Sequence, residues 1–239
     1  MKISIHIPVY NEEVMLPFTI LFYRSRFKDC EIIIYDNKST DNTVKIAIEN
    51  NCRVELFDTE DKINDINLQK LKNNCWRESN TDWVLICDCD ELIDITSEQL
   101  QNEDILGSSI ILSEGYDMVN MNDDINICNI NRGIRNTYYD KKILFNKSKI
   151  SEINYGIGSH TCSPSGNAIY SNSIYKLYHY KFINLDYMIK RYSLYKCRMS
   201  KENIENGWEF KYLLSEEATI KLFEEAKLKC EKIINHEHQ

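Results

Sequence analysis

Two acidic residues separated by one position are the strongest chemical signal in the chain. Asp88 and Asp90 follow the apolar run 83–87, which is typical of a buried β-strand. Their carboxylates would project from the end of that strand, where both can face one ion. Hard cations such as Mg²⁺ and Mn²⁺ prefer oxygen ligands and keep positions free for substrate phosphates. For an isolated Asp-x-Asp, a solvated turn is the ordinary alternative, because short motifs often match by chance.

Two more polar clusters lie upstream, each after an apolar run: residues 11–12 (Asn-Glu) and 36–41 (Asp-Asn-Lys-Ser-Thr-Asp). The first ninety residues alternate strand and helix patterns, which predicts a parallel sheet with right-handed crossovers. Ligands bind beyond the carboxyl ends of such strands, so we expect the three clusters on one rim. The predicted strands are 3–9, 30–35, 52–57 and 83–87, and the predicted helices are 14–27, 43–50 and 67–78.

The second half of the sequence is less regular. Strands are predicted over 109–112 and 142–145, and helices over 185–200 and 215–234. Residues 175–182 fit either a strand or the lead into a helix. The tail that holds His236 and His238 is predicted to be unstructured.

Composition limits the function classes. The 239 residues, 43% hydrophobic and 28% charged, fit one α/β domain. A net charge of -8 opposes nucleic-acid binding, although a cation could bridge local carboxylates to a nucleotide's phosphates. Nine cysteines without a CxxC pair argue against structural zinc, and free thiols favour a reducing compartment, hence a cytoplasmic protein. No run reaches the ~20 apolar residues of a membrane helix, so a membrane-linked acceptor would require peripheral docking.

Four motifs in the first hundred residues resemble those of the family 2 glycosyltransferases. They are 7–12 (Ile-Pro-Val-Tyr-Asn-Glu), 35–41 (Tyr-Asp-Asn-Lys-Ser-Thr-Asp), 71–73 (Leu-Lys-Asn) and 88–91 (Asp-Cys-Asp-Glu), the DxD motif. Asn73 precedes Asp88 by fifteen residues, which is the family's usual spacing. The resemblance implies an α/β fold of the GT-A (Rossmann-like) type: a mostly parallel central sheet flanked by helices, with a helical C-terminal segment.

The same resemblance implies a nucleotide-sugar donor, expected to be a UDP-sugar, and Mn²⁺ or Mg²⁺. Residues 1–108 would form the donor half, 109–184 the acceptor half and 185–239 the helical segment. For Asp41 we favour a helix cap. The implied donor-site residues are Pro8 and Tyr10 at the base, Glu12 at the nucleoside, Asp36 at the uracil or ribose, Lys72 and Asn73 near the nucleotide, Asp88 at the ribose or metal, and Asp90 at the metal.

Motifs in the second half resemble a subgroup of these enzymes, notably 155–160 (Tyr-Gly-Ile-Gly-Ser-His) and 177–181 (Leu-Tyr-His-Tyr-Lys). By this resemblance, His179 would be a third metal ligand. His160 could be that ligand instead, or line the acceptor site. An ordinary hydrogen-bonded side chain is the alternative for either histidine.

The resemblance also implies an acceptor-side base, which must reach the nucleophilic hydroxyl. The predicted catalytic residues are Glu91, Asp117 and His160, with Glu114 and Glu152 as further candidates. The pair at 123–124 (Asp-Asp) is either a remnant of the family's acidic pair or a solvated turn.

The predicted reaction is an inverting transfer of a sugar to a hydroxyl of a glycan, lipid-linked glycan or protein. Two alternatives stay open at this stage. A haloacid-dehalogenase-type phosphatase also ends a strand in Asp-x-Asp, with the first Asp as nucleophile. A nucleotide-sugar or glycan-binding module without a base would bind but not turn over.

Overall fold

The computed structural model describes residues 1–234, so His236 and His238 lie outside the described residues. Up to residue 234, the second half combines strands and short 3-10 turns with three α-helices. The strands are β1 Ile3–Val9, β2 Cys30–Asp36, β3 Arg53–Leu56, β4 Trp83–Ile86, β5 Glu91–Ile93, β6 Ile110–Val119, β7 Arg132–Arg135, β8 Leu144–Asn146, β9 Ile150–Glu152, β10 Ser165–Gly166, β11 Tyr170–Phe182 and β12 Glu231–Lys232. The α-helices are α1 Leu16–Arg26, α2 Thr43–Glu49, α3 Asp65–Asn74, α4 Ser97–Ile105, α5 Leu185–Arg198, α6 Lys201–Glu205 and α7 Glu216–Lys229.

The first half of the chain builds a parallel sheet in the order β4-β1-β2-β3. The central strand β1 pairs with β2 from Ile3 to Val9 and with β4 from Ile3 to His6. Its apolar side chains are buried, as expected for a strand covered on both faces. Each predicted strand and helix of this half is present within a few residues of its predicted ends. The predicted α/β fold with its parallel central sheet is confirmed.

The second half extends the same sheet beyond β4. β8 pairs antiparallel with β4 and β6, while β11 runs parallel to β6 and antiparallel to β5. The amide of Tyr180 donates to the carbonyl of Asp90 over 2.8 Å. Strand β11 therefore joins the end of β6 to the Asp-Cys-Asp turn, although these segments are far apart in sequence.

Predictions in this half have three different outcomes. β6 continues past the predicted end at Leu112 to Val119, and residues 170–182 form a strand, so the strand alternative is confirmed. The helix predicted over 215–234 is wrong beyond Lys229. The chain there turns into β12, because its backbone pairs with the edge strand β7 and Arg132 donates to the Cys230 carbonyl over 2.7 Å.

The C-terminal helices cross over the carboxyl ends of the parallel strands. The amide of Ile63 donates to the Arg198 carbonyl over 2.7 Å, and the amide of Ser200 donates back to Ile63 over 3.0 Å. The side chain of Asn203 accepts the amide of Asp65 at the start of α3. These bonds fix the segment after α5 against the loop that leads into α3.

Within residues 1–234, no helix is long and apolar enough to span a membrane. All nine cysteines belong to this described part of the chain, and none forms a disulfide there.

Candidate active site

A cleft lies at the carboxyl ends of β1, β2 and β4, beneath the C-terminal helices. Nine of the predicted site residues line it: Pro8, Tyr10, Glu12, Lys72, Asp88, Asp90, Glu91, His160 and His179. Asp36, Asn73 and Asp117 do not. Although the chain is acidic overall, the cleft is lined by as many basic as acidic side chains: Lys62, Lys72, Lys141, Arg191, Arg198 and Lys211 against Glu12, Asp65, Asp88, Asp90, Glu91 and Glu209.

The first two polar clusters interlock and shape the rim. Asn11 adopts a left-handed φ of 52°, a conformation that Asn tolerates well. Its amide donates to Ser39 Oγ over 2.9 Å, and its Oδ1 accepts the amide of Thr40 over 2.7 Å. The amide of Glu12 donates to Thr43 Oγ1 over 2.7 Å. The turn after β1 is therefore held by the turn after β2.

The acids of the second cluster accept hydrogen bonds from backbone amides of their own turn. Asp41 accepts the amide of Thr43 over 2.9 Å at the start of α2, as a capping residue does, whereas Asn42 makes no side-chain cap bond. Asp36 is buried, and both of its carboxylate oxygens accept the amide of Ser39 over 3.2 Å. The next residue, Asn37, lines the cleft instead, so a nucleotide contact from Asp36 stays a prediction.

One end of the cleft is built from Tyr10, Asn37 and Arg198. The guanidinium of Arg198 lies 3.2 Å from the centroid of the Tyr10 ring and donates to Asn37 Oδ1. Tyr195 donates to the Tyr10 carbonyl over 3.4 Å. A flat cation and an aromatic ring thus meet at the position predicted for a nucleoside base.

The middle of the cleft contains a shared ion pair. Arg191 contacts both carboxylate oxygens of Glu12 at 2.8 Å and Oδ2 of Asp90 at 3.3 Å, and Tyr195 donates to Glu12 over 2.9 Å. Burial raises the pKa of Glu12 to about 7, against the opposing charge of Arg191. Glu12, the acid that follows β1, is therefore bound to Arg191 of helix α5. The same guanidinium also contacts Asp90 of the Asp-Cys-Asp turn.

Asp90 also faces His179, the predicted late metal ligand. Its Oδ2 lies 3.8 Å from His179 Nε2, and His179 Nδ1 donates to Asp117 Oδ1 over 2.6 Å. Burial raises the pKa of Asp117, but the hydrogen bond from His179 outweighs it and holds that pKa below its usual value. In many metal sites, a carboxylate accepts the N–H of one imidazole nitrogen. The other nitrogen is then unprotonated and faces the ion.

These residues fit a divalent cation as a two-ligand site. One carboxylate and one imidazole leave positions for diphosphate oxygens and water, as Mg²⁺ or Mn²⁺ would use them. Among residues 1–234, no group of three or more His, Cys, Asp or Glu side chains is arranged to hold a metal. Asp88 contacts a different set of side chains. The two acids of the Asp-Cys-Asp turn therefore lie in different environments.

Lysines surround Asp88. Lys72 Nζ donates to its Oδ1 over 2.7 Å, and Lys141 Nζ lies 3.7 Å from its Oδ2. Burial raises the pKa of Asp88, but the two lysines outweigh it and hold that pKa far below its usual range. Lys141 also pairs with Glu91 over 2.5 Å. The wall beyond the metal motif is therefore an alternating row of cations and carboxylates.

His160 lies beside this row and stacks on Tyr138, with ring centroids 3.5 Å apart. Its Nδ1 donates to the Tyr138 carbonyl over 2.8 Å, which leaves Nε2 with the lone pair. Burial, followed by the charge of Lys141, lowers the pKa of His160 to about 3. The imidazole is neutral at physiological pH and is a weak base.

The remaining candidates lie outside the cleft. Asn73 makes two hydrogen bonds to the backbone of Tyr155, Glu114 accepts from Tyr116, and Glu152 pairs with Arg77. The Asp123 side chain is exposed and lies 3.7 Å from Lys227. Each of these polar groups already has a structural partner.

Comparison with known proteins gives a family match for the first part of the chain. Residues 4–101 match the family model for glycosyl transferase family 2. Over this segment the chain is similar to glycosyl transferase family 2, and we call residues 4–101 the family 2 segment. The match contains Asp36, Lys72 and the Asp-Cys-Asp turn, so the four motifs of the first hundred residues lie within it, whereas the motifs at 155–160 and 177–181 lie outside it. The sequence has no match among curated proteins.

Several solved glycosyltransferase structures are similar to this chain at low identity. TarS (residues 1–349) of S. aureus is 16% identical, with 93% of this chain and 69% of that one covered and a TM-score of 0.44. Glucosyl-3-phosphoglycerate synthase from Mycobacterium tuberculosis, solved with Mn²⁺ and UDP, is 20% identical, with a TM-score of 0.34. That comparison covers 48% of this chain and 44% of the synthase, so this chain spans less than half of that protein's length.

The family 2 segment does not complete the cleft. Lys141, Arg191 and Arg198 come from later in the chain, and the sequence analysis assigned none of them a role. One signal was available for two of them: Arg191 and Arg198 are seven residues apart, so α5 presents both on one face. Lys141 had no such signal, because only the β8 pairing brings it to Glu91.

Proposed function

We propose that this protein is a glycosyltransferase that moves a sugar from a nucleotide-sugar, a UDP-sugar, to a hydroxyl acceptor with inversion. The acceptor is a hydroxyl of a glycan, a lipid-linked glycan or a protein. The match of residues 4–101 to the model of glycosyl transferase family 2 supports the reaction class.

One observation carries the proposal for this chain. Asp90 and His179 face each other at 3.8 Å, in the middle of a cleft whose two ends differ in chemistry. Tyr10 and Arg198 offer flat surfaces at one end, as a nucleoside base requires. At the other end Lys72 and Lys141 flank carboxylates, a polar wall suited to a sugar.

In the proposed mechanism, Asp90 and His179 would hold Mn²⁺ or Mg²⁺, which neutralises the charge of a diphosphate leaving group. Asp117 positions His179 through Nδ1. Arg191 is 3.3 Å from Asp90 and offers a second positive charge for the diphosphate. Burial beneath α5 removes water and strengthens these electrostatic interactions.

The transfer forms one bond and breaks another. An acceptor oxygen attacks the anomeric carbon, the bond from that carbon to the diphosphate breaks, and its electron pair leaves with UDP. The acceptor proton passes to a base. Glu91 and His160 are the candidates that line the cleft, whereas Asp117 already accepts hydrogen bonds from His179 and Asn136.

The test is donor binding and hydrolysis across a panel of UDP- and GDP-sugars, with and without Mn²⁺. We expect metal-dependent binding of one nucleotide-sugar, lost in Asp90→Ala and retained in Asp123→Ala. The second variant removes an exposed carboxylate outside the cleft and is the matched control.

Two outcomes would overturn the proposal. Absence of nucleotide binding, together with metal-dependent release of phosphate from simple phosphomonoesters, would indicate the phosphatase. Donor binding without turnover on any acceptor in a broad panel would indicate the non-catalytic binding module.

A further inference from the structure

Glu91, which lines the cleft, has a buried carboxylate oxygen without a partner in the described part of the chain. Glu91 is 2% exposed, and its Oε1 pairs with Lys141 Nζ, itself on a residue that is 1% exposed. Its Oε2 is buried and accepts no hydrogen bond from any residue between 1 and 234. An unsatisfied buried carboxylate oxygen is unfavourable, so such an atom calls for a donor from outside the protein.

The position of this oxygen is fixed from several sides. The amide of Glu91 donates to the Asp88 carbonyl over 3.0 Å, and its carbonyl accepts from Tyr23 over 2.9 Å. Glu91 also pairs with His179 across β5 and β11. With the side chain held by Lys141, Oε2 has little freedom. Fixed polar atoms of this kind provide specificity in ligand pockets.

A chain of contacts locates this atom in the cleft. From Tyr10, contacts lead through Tyr195 and Glu12 to Arg191, and from Arg191 to Asp90. Past Asp90 they continue through His179, stacked on Tyr139 at 3.9 Å between centroids, to Lys141 and Glu91. Along this path of contacts, Asp90 and His179 come between Tyr10 and Glu91.

A nucleotide-sugar has the same order of parts: base, diphosphate, sugar. With the base at Tyr10 and the diphosphate at Asp90, the sugar falls against Lys141 and Glu91. Sugar hydroxyls are hydrogen-bond donors, and a carboxylate oxygen accepts a stronger hydrogen bond than a neutral group does.

We propose that Glu91 is a specificity-determining residue of the donor site, whose Oε2 accepts a hydrogen bond from a hydroxyl of the transferred sugar. Lys141 is the positioning residue that fixes that oxygen. The inference rests on the proposed function, and it gives Glu91 a role in donor recognition instead of proton transfer.

The test compares the affinity of UDP with that of the preferred UDP-sugar and its monodeoxy analogues, measured calorimetrically with Mn²⁺. In the wild type, we expect loss of the recognised hydroxyl to weaken donor binding by about 10- to 100-fold. In Glu91→Gln, the intact donor should bind more weakly, the same deoxygenation should have much less effect, and UDP affinity should stay within about twofold. Glu114→Gln, an acid outside the cleft, is the matched control.

A second variant guards against misfolding. Glu91→Leu with Lys141→Met removes both charges of the buried pair, and such replacements are often neutral for stability. It should show the same loss of hydroxyl discrimination with UDP binding retained.

Each contrary outcome has a distinct meaning. Equal weakening of UDP and UDP-sugar in Glu91→Gln would overturn the inference in favour of a structural pair. Unchanged donor binding with lost turnover would overturn it in favour of a base. If the wild type binds UDP-sugars no better than it binds sugar phosphates, the proposed function itself fails, and the inference fails with it.

Discussion

Asp117 and His179 face each other across two parallel strands and are joined by a hydrogen bond of 2.6 Å. Asp117 does not line the cleft, whereas His179 does. The acid therefore acts through the histidine: it keeps the proton on Nδ1 and leaves Nε2 facing Asp90. This arrangement places Asp117 behind the predicted metal instead of beside the acceptor.

The first prediction concerns Asp117→Asn. Asp117 accepts from both His179 and Asn136 Nδ2, so an amide in its place must turn its NH₂ group toward one of these donors. We expect Mn²⁺ affinity to fall about 10- to 100-fold, the usual effect of losing an outer-shell partner. Titration of Mn²⁺ followed by electron paramagnetic resonance measures this. Glu114→Gln on the same strand should bind as the wild type does, and unchanged affinity in Asp117→Asn would refute the positioning role.

The second prediction concerns the ion pair of Arg191 with Glu12, whose side chains are 18% and 4% exposed. Arg191→Met leaves a buried acid without its cation and should lower the free energy of unfolding by about 3 kcal/mol at pH 8. The loss should be smaller at pH 5.5. Because the folded pKa of Glu12 is already raised to about 7 and would rise further, its contribution to stability falls as pH increases above the unfolded pKa.

Urea unfolding at the two pH values measures both effects. Arg77→Met removes an ion pair with Glu152 in which both side chains are more than a third exposed, and it should change stability by less than about 1 kcal/mol. An equal loss in Arg191→Met at both pH values would contradict the account of Glu12. Adding Glu12→Gln to Arg191→Met should restore part of the stability.

The third prediction concerns acid stability and His6 in β1. Its ring is buried between Tyr35, Ser4 and Ser79, and burial, followed by the charges of Arg53 and Lys147, lowers its pKa to about 3. The unfolded state binds the proton first, so His6 stabilises the fold above pH 6.5 and loses that contribution as pH falls toward 3.

His6→Gln keeps polar contacts in this position without a titrating group. Between pH 6.5 and 4, its unfolding free energy should decrease less than that of the wild type, by up to about 3 kcal/mol. Parallel denaturation curves across this range would show that His6 is not the acid-sensitive group.

The fourth prediction concerns His160. With a pKa lowered to about 3, its neutral imidazole has little driving force to take a proton at pH 7. His160→Gln should lower kcat by less than about tenfold, whereas removal of a working base reduces it by about 10²- to 10⁴-fold. A loss above about a hundredfold with donor affinity intact would identify His160 as the base.

The parallel half of the fold could be predicted because its strands are buried on both faces of the sheet and therefore appear in the sequence as apolar runs. The polar helix α4 was missed, although Thr96 and Gln99 form a capping box that marks its start. The predicted helical end at 215–234 was wrong because the pairing of Glu231 with Gly133 on β7 has no local signal. Divisions at residues 108 and 184 stay predictions.

The position of Asp88 and Asp90 at the cleft was predictable, because both directly follow a strand. The neighbours that define their chemistry were not. Asp90 meets His179 and Arg191 only through the β11 register and the crossing of α5. Lys141 reaches Asp88 by sheet pairing. The two acids are separated by a single residue, yet their side chains have different neighbours. Those neighbours come from contacts that a sequence pattern does not contain.

Glu12 and Arg191 are 179 residues apart in the chain. During synthesis, the parallel sheet of the family 2 segment can therefore form well before α5 exists, and Glu12 and Asp90 then wait without their guanidinium. Domains fold as units as they emerge, but this cleft takes its lining from residues as far apart in the chain as Pro8 and Tyr212. A nascent chain that has reached only residue 184 has its sheet and its metal motif, yet lacks the cation that holds the two acids together. The cleft is thus completed late, when α5 packs on a sheet that has already formed.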